Sequence, residues 1–319
     1  MSSANNANRQ PVFRPVDRCN LCNGTEFAEK YRIRENASFS PLWPDSGDIA
    51  REGIRIVKCR NCGLVFTDPR RPAEEISKIY ADEYHRAHKE ELKLNAYEER
   101  LRRIREYKGS GDLLDIGCGY GYFLKAASRY FSVTGLEASK DAVKFVKDVQ
   151  KVPAINERFL SADLREGSFD IVTLWDTIEH LYDPYSNLVK INKILKRGGV
   201  LALRTGDIAS LNAGIAGRHW FFYHLIDHAY FFSRKTMTGL LDKAGFDVLR
   251  VYHEEAGFRN IRQWIKGMVK SMIKIALSLF NRGFGSETLG NYLKTKGEPV
   301  VPMLADQMVL IARKTERHE

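Results

Sequence analysis

The chain has 319 residues, of which 44% are hydrophobic and 28% charged, the profile of a globular protein with room for about two domains. No run of about 18 uncharged apolar residues occurs, which excludes a hydrophobic membrane-spanning helix. The opening MSSANNANRQPVFRP has no apolar signal core, so a cytoplasmic protein with reduced thiols is expected, and the net charge of +10 favours acidic partners: nucleic acid, anionic lipid or a phosphorylated substrate.

In chain order, residues 1–17 read as a disordered tail. Cys19 with Cys22, in CNLC, and Cys59 with Cys62, in CRNCG, follow as two Cys-x-x-Cys turns. Each turn aims two thiolates at one point, and together they complete a tetrahedral set that suits a structural Zn²⁺. A closed tetrathiolate leaves no open position for catalysis, so the metal's part is to fold a small ribbon spanning 18–72. A thioredoxin-like redox pair is the poorer reading, because neither pair opens a helix after a strand. Residues 73–108 carry Ile76, Ile79 and Tyr80, then Leu94, Tyr97, Leu101 and Ile104, at three- and four-residue spacing; this predicts a helical connector.

From Gly109 onward the pattern alternates. Strands are predicted at Leu113–Asp115, SVTGLE (132–137), FLSADL (159–164), FDIVTLWD (169–176), VLALRT (200–205), FDVLRVY (246–252) and DQMVLIARK (306–314). Helices are predicted at 122–130, 141–150, 183–199 with Asp183 as N-cap and glycines closing the end, and 234–244. Such alternation means an α/β fold with a largely parallel sheet covered on both faces. Insertions interrupt it at about 206–233 and 255–302.

The stretch LLDIGCGYGYF places glycines at 117, 119 and 121 behind an acid. A dinucleotide fingerprint wants a third glycine where Tyr122 stands, and a P-loop wants a Gly-Lys-Ser/Thr that is absent. Asp115 is a poor neighbour for phosphate and a good one for a cation. Glu137 ends the next strand, where an acid accepts from both ribose hydroxyls. A ligand with a ribose, a positive charge and no phosphate fits: S-adenosylmethionine.

With these motifs in order, residues 109–314 resemble the class I S-adenosylmethionine-dependent methyltransferases, whose Rossmann-like sheet has seven strands with the last antiparallel. The resemblance implies that Gly117, Cys118, Gly119 and Gly121 pass beneath the methionine part while Asp115 orients the loop or the amino group. GLEAS implies Glu137 and Ala138 at the ribose, SADL implies Asp163 and Leu164 at the adenine, and WDTIEH implies Trp175 and Asp176 at the substrate mouth. CRNCGLVFTDPRRP resembles the second knuckle of bacterial methyltransferases that carry a zinc ribbon. They are associated with sugars, cell-surface polysaccharides and secondary metabolites. A small-molecule, sugar or lipid-linked acceptor, methylated on oxygen or carbon, is therefore expected.

Methyl transfer to a hydroxyl or carbon acid calls for a positioned acceptor and removal of a proton. His180 lies just past the fourth predicted strand, where open α/β sheets bind ligands. His228 lies in the aromatic insertion RHWFFYHLIDHAYFFS, where the resembling family has a His-x-x-Phe-Ser pattern; both are candidate catalytic residues. Residues 261–280 form a basic amphipathic pattern suited to an anionic membrane surface, a partner or the protein's own domain. Two rival readings are an RNA methyltransferase and a non-catalytic zinc-ribbon scaffold. Nucleic acid is disfavoured because WDTIEH stands where amino-methylating nucleic-acid enzymes place Asn/Asp-Pro-Pro-Tyr/Phe.

Overall fold

The computed structural model describes residues 13–32, 53–70, 72, 94–224, 228–254 and 306–315. The basic stretch 261–280, the first part of the connector and residues 1–12 lie outside them.

The main sheet has seven strands: β4 (Asp112–Ile116), β5 (Ser132–Glu137), β6 (Ala154–Asn156), β7 (Phe169–Trp175), β8 (Leu195–Gly206), β10 (Phe246–Glu254) and β11 (Gln307–Lys314). Their order is β10-β11-β8-β7-β4-β5-β6. β8, β7, β4, β5 and β6 pair in parallel, while β11 runs antiparallel to both β8 and β10. This agrees with the expected seven-stranded sheet whose last strand is reversed. The central strands are apolar on consecutive residues because both faces are covered. Leu113, Ile171, Val200 and Ile311 face Tyr97, Leu101 and Ile104 of α1 (Leu94–Arg105). Leu114, Val172, Leu201 and Leu310 face the other way, toward Leu188 and Ile191 of α4 (Pro184–Ile194). Between these helices in the chain come α2 (Tyr122–Ala127) and α3 (Lys140–Phe145), which continues into a π-helical turn at Val146–Gln150.

Two predicted elements are corrected. The third strand is Ala154–Asn156 and not 159–164. Residues 159–162 form a turn whose carbonyls accept from Lys190 Nζ, with Phe159 and Ala162 buried beneath it. Nor do the glycines at 198 and 199 close a helix. α4 stops at Ile194, and β8 begins at once because Leu195 pairs with Phe169 and is fully buried.

The N-terminal segment forms a second sheet, β1 (Phe27–Arg32), β2 (Arg55–Cys59) and β3 (Val65–Asp68), all antiparallel. Its fourth strand is β9 (Tyr230–Phe231), supplied by the insertion after β8. That insertion also carries α5 (Leu211–Ala216) and leads into α6 (Arg234–Lys243), capped reciprocally by Ser233 and Thr236. The second sheet shares the core of the main one: Cys19, Val57 and Phe66 lie in one cluster with Phe232, Met237 and Leu240.

Candidate functional site

The glycine loop joins β4 to α2 at the carboxyl edge of the sheet, and its backbone explains its sequence. Gly117, Gly119 and Gly121 all have positive φ (71°, 53° and 71°), a region that L-residues with a Cβ enter at a cost. Space is short as well: a Cβ on Gly117 would meet Thr177 Oγ1 at 2.7 Å, and one on Gly121 would meet Val146 Cγ2 at 2.9 Å. The amides of Gly117 and Cys118 donate to Leu136 O, which ties the loop to β5.

Two acids flank this loop, and a third lies beyond β6. Asp115, 2% exposed, accepts from Thr173 Oγ1 at 2.6 Å. Glu137, 8% exposed, accepts from Gly119 N on one oxygen and from Ser139 N on the other. These two amides fix the carboxylate at the end of β5, beside the glycine loop. Asn156 donates to the carbonyls of Glu137 and Ala138 and so sets the end of β5. Asp163 is exposed on the loop beyond β6, with Leu164 beside it half-buried. Lys190 Nζ reaches from α4 to three carbonyls before it, at 2.6 to 3.0 Å; burial lowers the pKa of this amine. The loop thus brings Asp115, Glu137 and the amides of 117–119 together, with Asp163 farther along the same edge.

At the end of β7, the Trp175 ring packs edge-to-face on Phe123 at 5.1 Å and lies under the Arg100 guanidinium at 4.7 Å. Asp176, at φ 53°, turns its carboxylate to Arg204, which donates from Nε at 2.8 Å and from a second nitrogen. It is one of two acids in an ion network. Arg100, 1% exposed, makes a bidentate pair with Glu254 at 2.6 and 2.7 Å, and Arg204 also reaches Glu254 at 3.0 Å. Burial, then the charge of Arg100, lowers the Arg204 pKa to about 10. Burial alone would raise the Glu254 pKa, but the hydrogen bond and charge of Arg100 with the charge of Arg204 bring it below the ordinary carboxylate range.

The two candidate histidines meet. His180 ends a 3₁₀ turn at Ile178–His180, and its ring lies 4.6 Å from that of His228. His228 is 3% exposed and packs beside Phe222. Ala229 N donates to Glu179 O, and donor atoms of Glu179, His180 and His228 lie within 4.8 Å of one another. Sequence reading overlooked Asn156, Lys190, Arg100, Arg204 and Glu254. Only Arg204 carried a signal, as a lone charge inside the apolar strand VLALRT.

The cysteines converge as expected. Sγ of Cys19 lies 3.5 Å from that of Cys62, and Cys22 lies 3.6 Å from Cys59; all four donors lie within 4.8 Å of one another. Tetrahedral Zn–S bonds place sulfurs about 3.8 Å apart, whereas a disulfide would hold them at about 2.05 Å. The donor set and spacing therefore fit Zn²⁺. Asn20, inside the first knuckle, donates to the Asp183 carboxylate and accepts from Tyr185 N, so it braces the start of α4.

Comparison with known proteins places these features in context. The profile of the family described as "Methyltransferase domain" matches residues 74–251. A Ubiquinone biosynthesis O-methyltransferase of Caulobacter vibrioides is 35% identical over 102 residues, 29% of this chain and 40% of that protein. Its namesake in Pseudomonas aeruginosa strain LESB58 is 34% identical over 100 residues, 29% of this chain and 43% of that one. The chain thus spans less than half the length of these relatives. Among solved structures, a chain of the complex between the Haloferax volcanii Trm112 methyltransferase activator and a methyltransferase superposes with TM-score 0.53 at 16% identity, covering 76% of this chain and 98% of its own. A Thermotoga maritima S-adenosylmethionine-dependent methyltransferase superposes with TM-score 0.50 at 20% identity, covering 76% of this chain and 99% of its own. At these identities the two structures speak for the fold.

Proposed function

The chain belongs to the methyltransferase-domain family, and from that premise we propose that it transfers the methyl group of S-adenosylmethionine to an oxygen or carbon acid of a small-molecule acceptor. The observation that carries the proposal is the pair of buried acids, Asp115 and Glu137, flanking a loop that admits only glycine at 117 and 121. Acids repel a pyrophosphate and attract a sulfonium or ammonium.

On this reading, Gly117, Cys118, Gly119 and Gly121 pass beneath the methionine part, with Asp115 holding the loop. Glu137 and Ala138 take the ribose, and Asp163 and Leu164 the adenine. Trp175 walls the site, and Asp176 holds Arg204 beside it. S-adenosylmethionine supplies an activated methyl group. The protein positions the acceptor in line with it, excludes water and removes the acceptor's proton. His180 and His228, with the aromatic residues around them, form the acceptor side. That the Caulobacter and Pseudomonas relatives are named O-methyltransferases supports oxygen as the acceptor atom. The cysteine knuckles keep sugar and lipid-linked acceptors within the proposal, and Cys19, Cys22, Cys59 and Cys62 hold a structural Zn²⁺.

The test is twofold. Calorimetry should give micromolar S-adenosylmethionine binding and none with NAD⁺. Methyl-labelled donor should then label at least one of a catechol acid, a nucleotide-linked sugar or a bacterial lipid extract. Tight NAD⁺ binding, or donor binding with no transfer to any of the three, would overturn the proposal.

A further inference from the structure

A third histidine lies at the same sheet edge, partnered by an acid that the sequence gives no reason to associate with it. Asp207 follows the last residue of β8, and His253 is the penultimate residue of β10. Their side chains meet across β11, Nε2 of His253 lying 2.8 Å from Asp207 Oδ2. The exposures differ sharply, 6% for the acid's side chain and 39% for the imidazole. The other Asp207 oxygen accepts from Ala209 N at 2.9 Å, so the carboxylate is fixed at both oxygens. The opposite ring nitrogen, Nδ1, has no partner among the described residues.

This arrangement determines the tautomer. A buried carboxylate accepts the Nε2 proton, which leaves the Nδ1 lone pair on the exposed side of the ring. Nδ1 is then the ring atom that can accept a proton. Close by, Asp306 is buried at the start of β11 and accepts from Asn212 Nδ2 and Trp220 Nε1. Burial raises its pKa, and the Asp207 charge adds to the rise. Glu254, next in the chain to His253, is paired with Arg100 and Arg204. Among the described residues, Asp207 is the acid in contact with His253, and Asp306 lies behind Asp207.

The position also matches an acceptor site. Gly206, before Asp207, lies under the Phe222 ring so closely that a Cβ would come within 2.7 Å of it. Phe222 in turn lies 5.4 Å from His228. Arg204, on the same strand, grips Asp176. Asp207 and His253 thus stand at the carboxyl ends of their strands, on the flank of the aromatic insertion, where open α/β sheets bind ligands. His228 is 3% exposed among aromatic rings and is poorly placed to exchange a proton with water; His253 is well placed.

We propose that Asp207 and His253 form the proton-accepting dyad of the reaction, with Nδ1 of His253 taking the acceptor's proton and Asp207 as the positioning residue. The proposal rests on the methyl-transfer reading above. As the acceptor oxygen or carbon bonds to the methyl carbon, the methyl–sulfur bond breaks and its electron pair stays on sulfur. The acceptor's proton moves to Nδ1, and the imidazolium later returns it to solvent.

The experiment compares wild type with His253→Asn, Asp207→Asn, His180→Asn and His228→Asn, using labelled donor and the three acceptors above. His253→Asn should lower kcat by about 10²- to 10³-fold, leave donor affinity within about twofold by calorimetry, and abolish the fall in kcat toward low pH. Asp207→Asn should lower kcat with little change in acceptor KM. Nitrogen NMR of the His253 ring should place the proton on Nε2 in wild type and show its shift in Asp207→Asn. Wild-type turnover in His253→Asn with the low-pH fall intact, or a wild-type ring protonated on Nδ1 alone, would overturn the dyad while leaving methyl transfer standing. Wild type that labels none of the three acceptors would overturn the methyl-transfer reading and the dyad with it.

Discussion

On the proposed function, single residues carry the donor side of the site, and their roles divide between backbone freedom and charge. Gly121 combines a φ of 71° with Val146 at 2.9 Å from where a Cβ would sit. Gly121→Ala should therefore cost about 1–3 kcal/mol of stability and weaken donor binding at least tenfold, read by thermal denaturation and calorimetry on the same sample. Glu137 serves two backbone amides and, on our proposal, the ribose. Glu137→Ala should weaken donor affinity by about 1.5–3 kcal/mol, the range for hydrogen bonds to a charged group. An unchanged dissociation constant would remove Glu137 from the binding site. Both residues were legible in the sequence because an acid or a glycine is conspicuous at the end of an apolar strand. His253 was not, since its partner lies 46 residues away in the chain.

At the scale of elements, α1 is more than a connector. Its Arg100 enters the core beside Trp175 and pairs with Glu254 at the far end of β10. Periodicity in the sequence located the apolar face of this helix, yet could not show that a buried arginine on it anchors a distant strand. Glu254→Gln leaves two arginine charges against one remaining acid, Asp176, and should destabilise the protein by about 3–5 kcal/mol. The pH sign follows from the depressed Glu254 pKa. The stability it contributes is present above the ordinary carboxylate pKa and is lost as the pH falls through its lowered folded value. Denaturant titrations should show wild type losing stability on acidification through that window, and Glu254→Gln showing a flatter dependence. The misplaced third strand has a similar cause. FLSADL has strand-like composition, but Lys190 from α4 satisfies the carbonyls of 159, 160 and 162, and the turn wins.

Across the whole molecule, the cysteine module and the catalytic sheet are built into one another. β9 comes from the insertion after β8 and completes the N-terminal sheet, while Asn20 in the first knuckle holds the Asp183 cap of α4. α4 begins just beyond the Glu179–His180 turn, so the knuckle bears on the side of the sheet that the proposed function gives to the acceptor. Metal analysis should find about one zinc per chain. Removing it with a chelator, or Cys59→Ser, should lower the melting temperature and slow methyl transfer together. Loss of zinc with both unchanged would contradict this coupling. Among the described residues no helix is long and apolar enough to cross a membrane.

The sequence by itself determined the α/β alternation, the acids and glycines of the strand-to-helix loop and the four thiols, because each depends on residue types at short spacing; the reversed last strand was expected only from the resemblance to a known family. Tertiary structure alone decided which distant residues meet: Arg100 with Glu254, Arg204 with Asp176, His180 with His228, Asp207 with His253, and the insertion's strand with the N-terminal sheet. The physical reason is the same in each case. These pairs lie on different strands, helices and loops, and only sheet order and burial bring their side chains within hydrogen-bonding or packing distance.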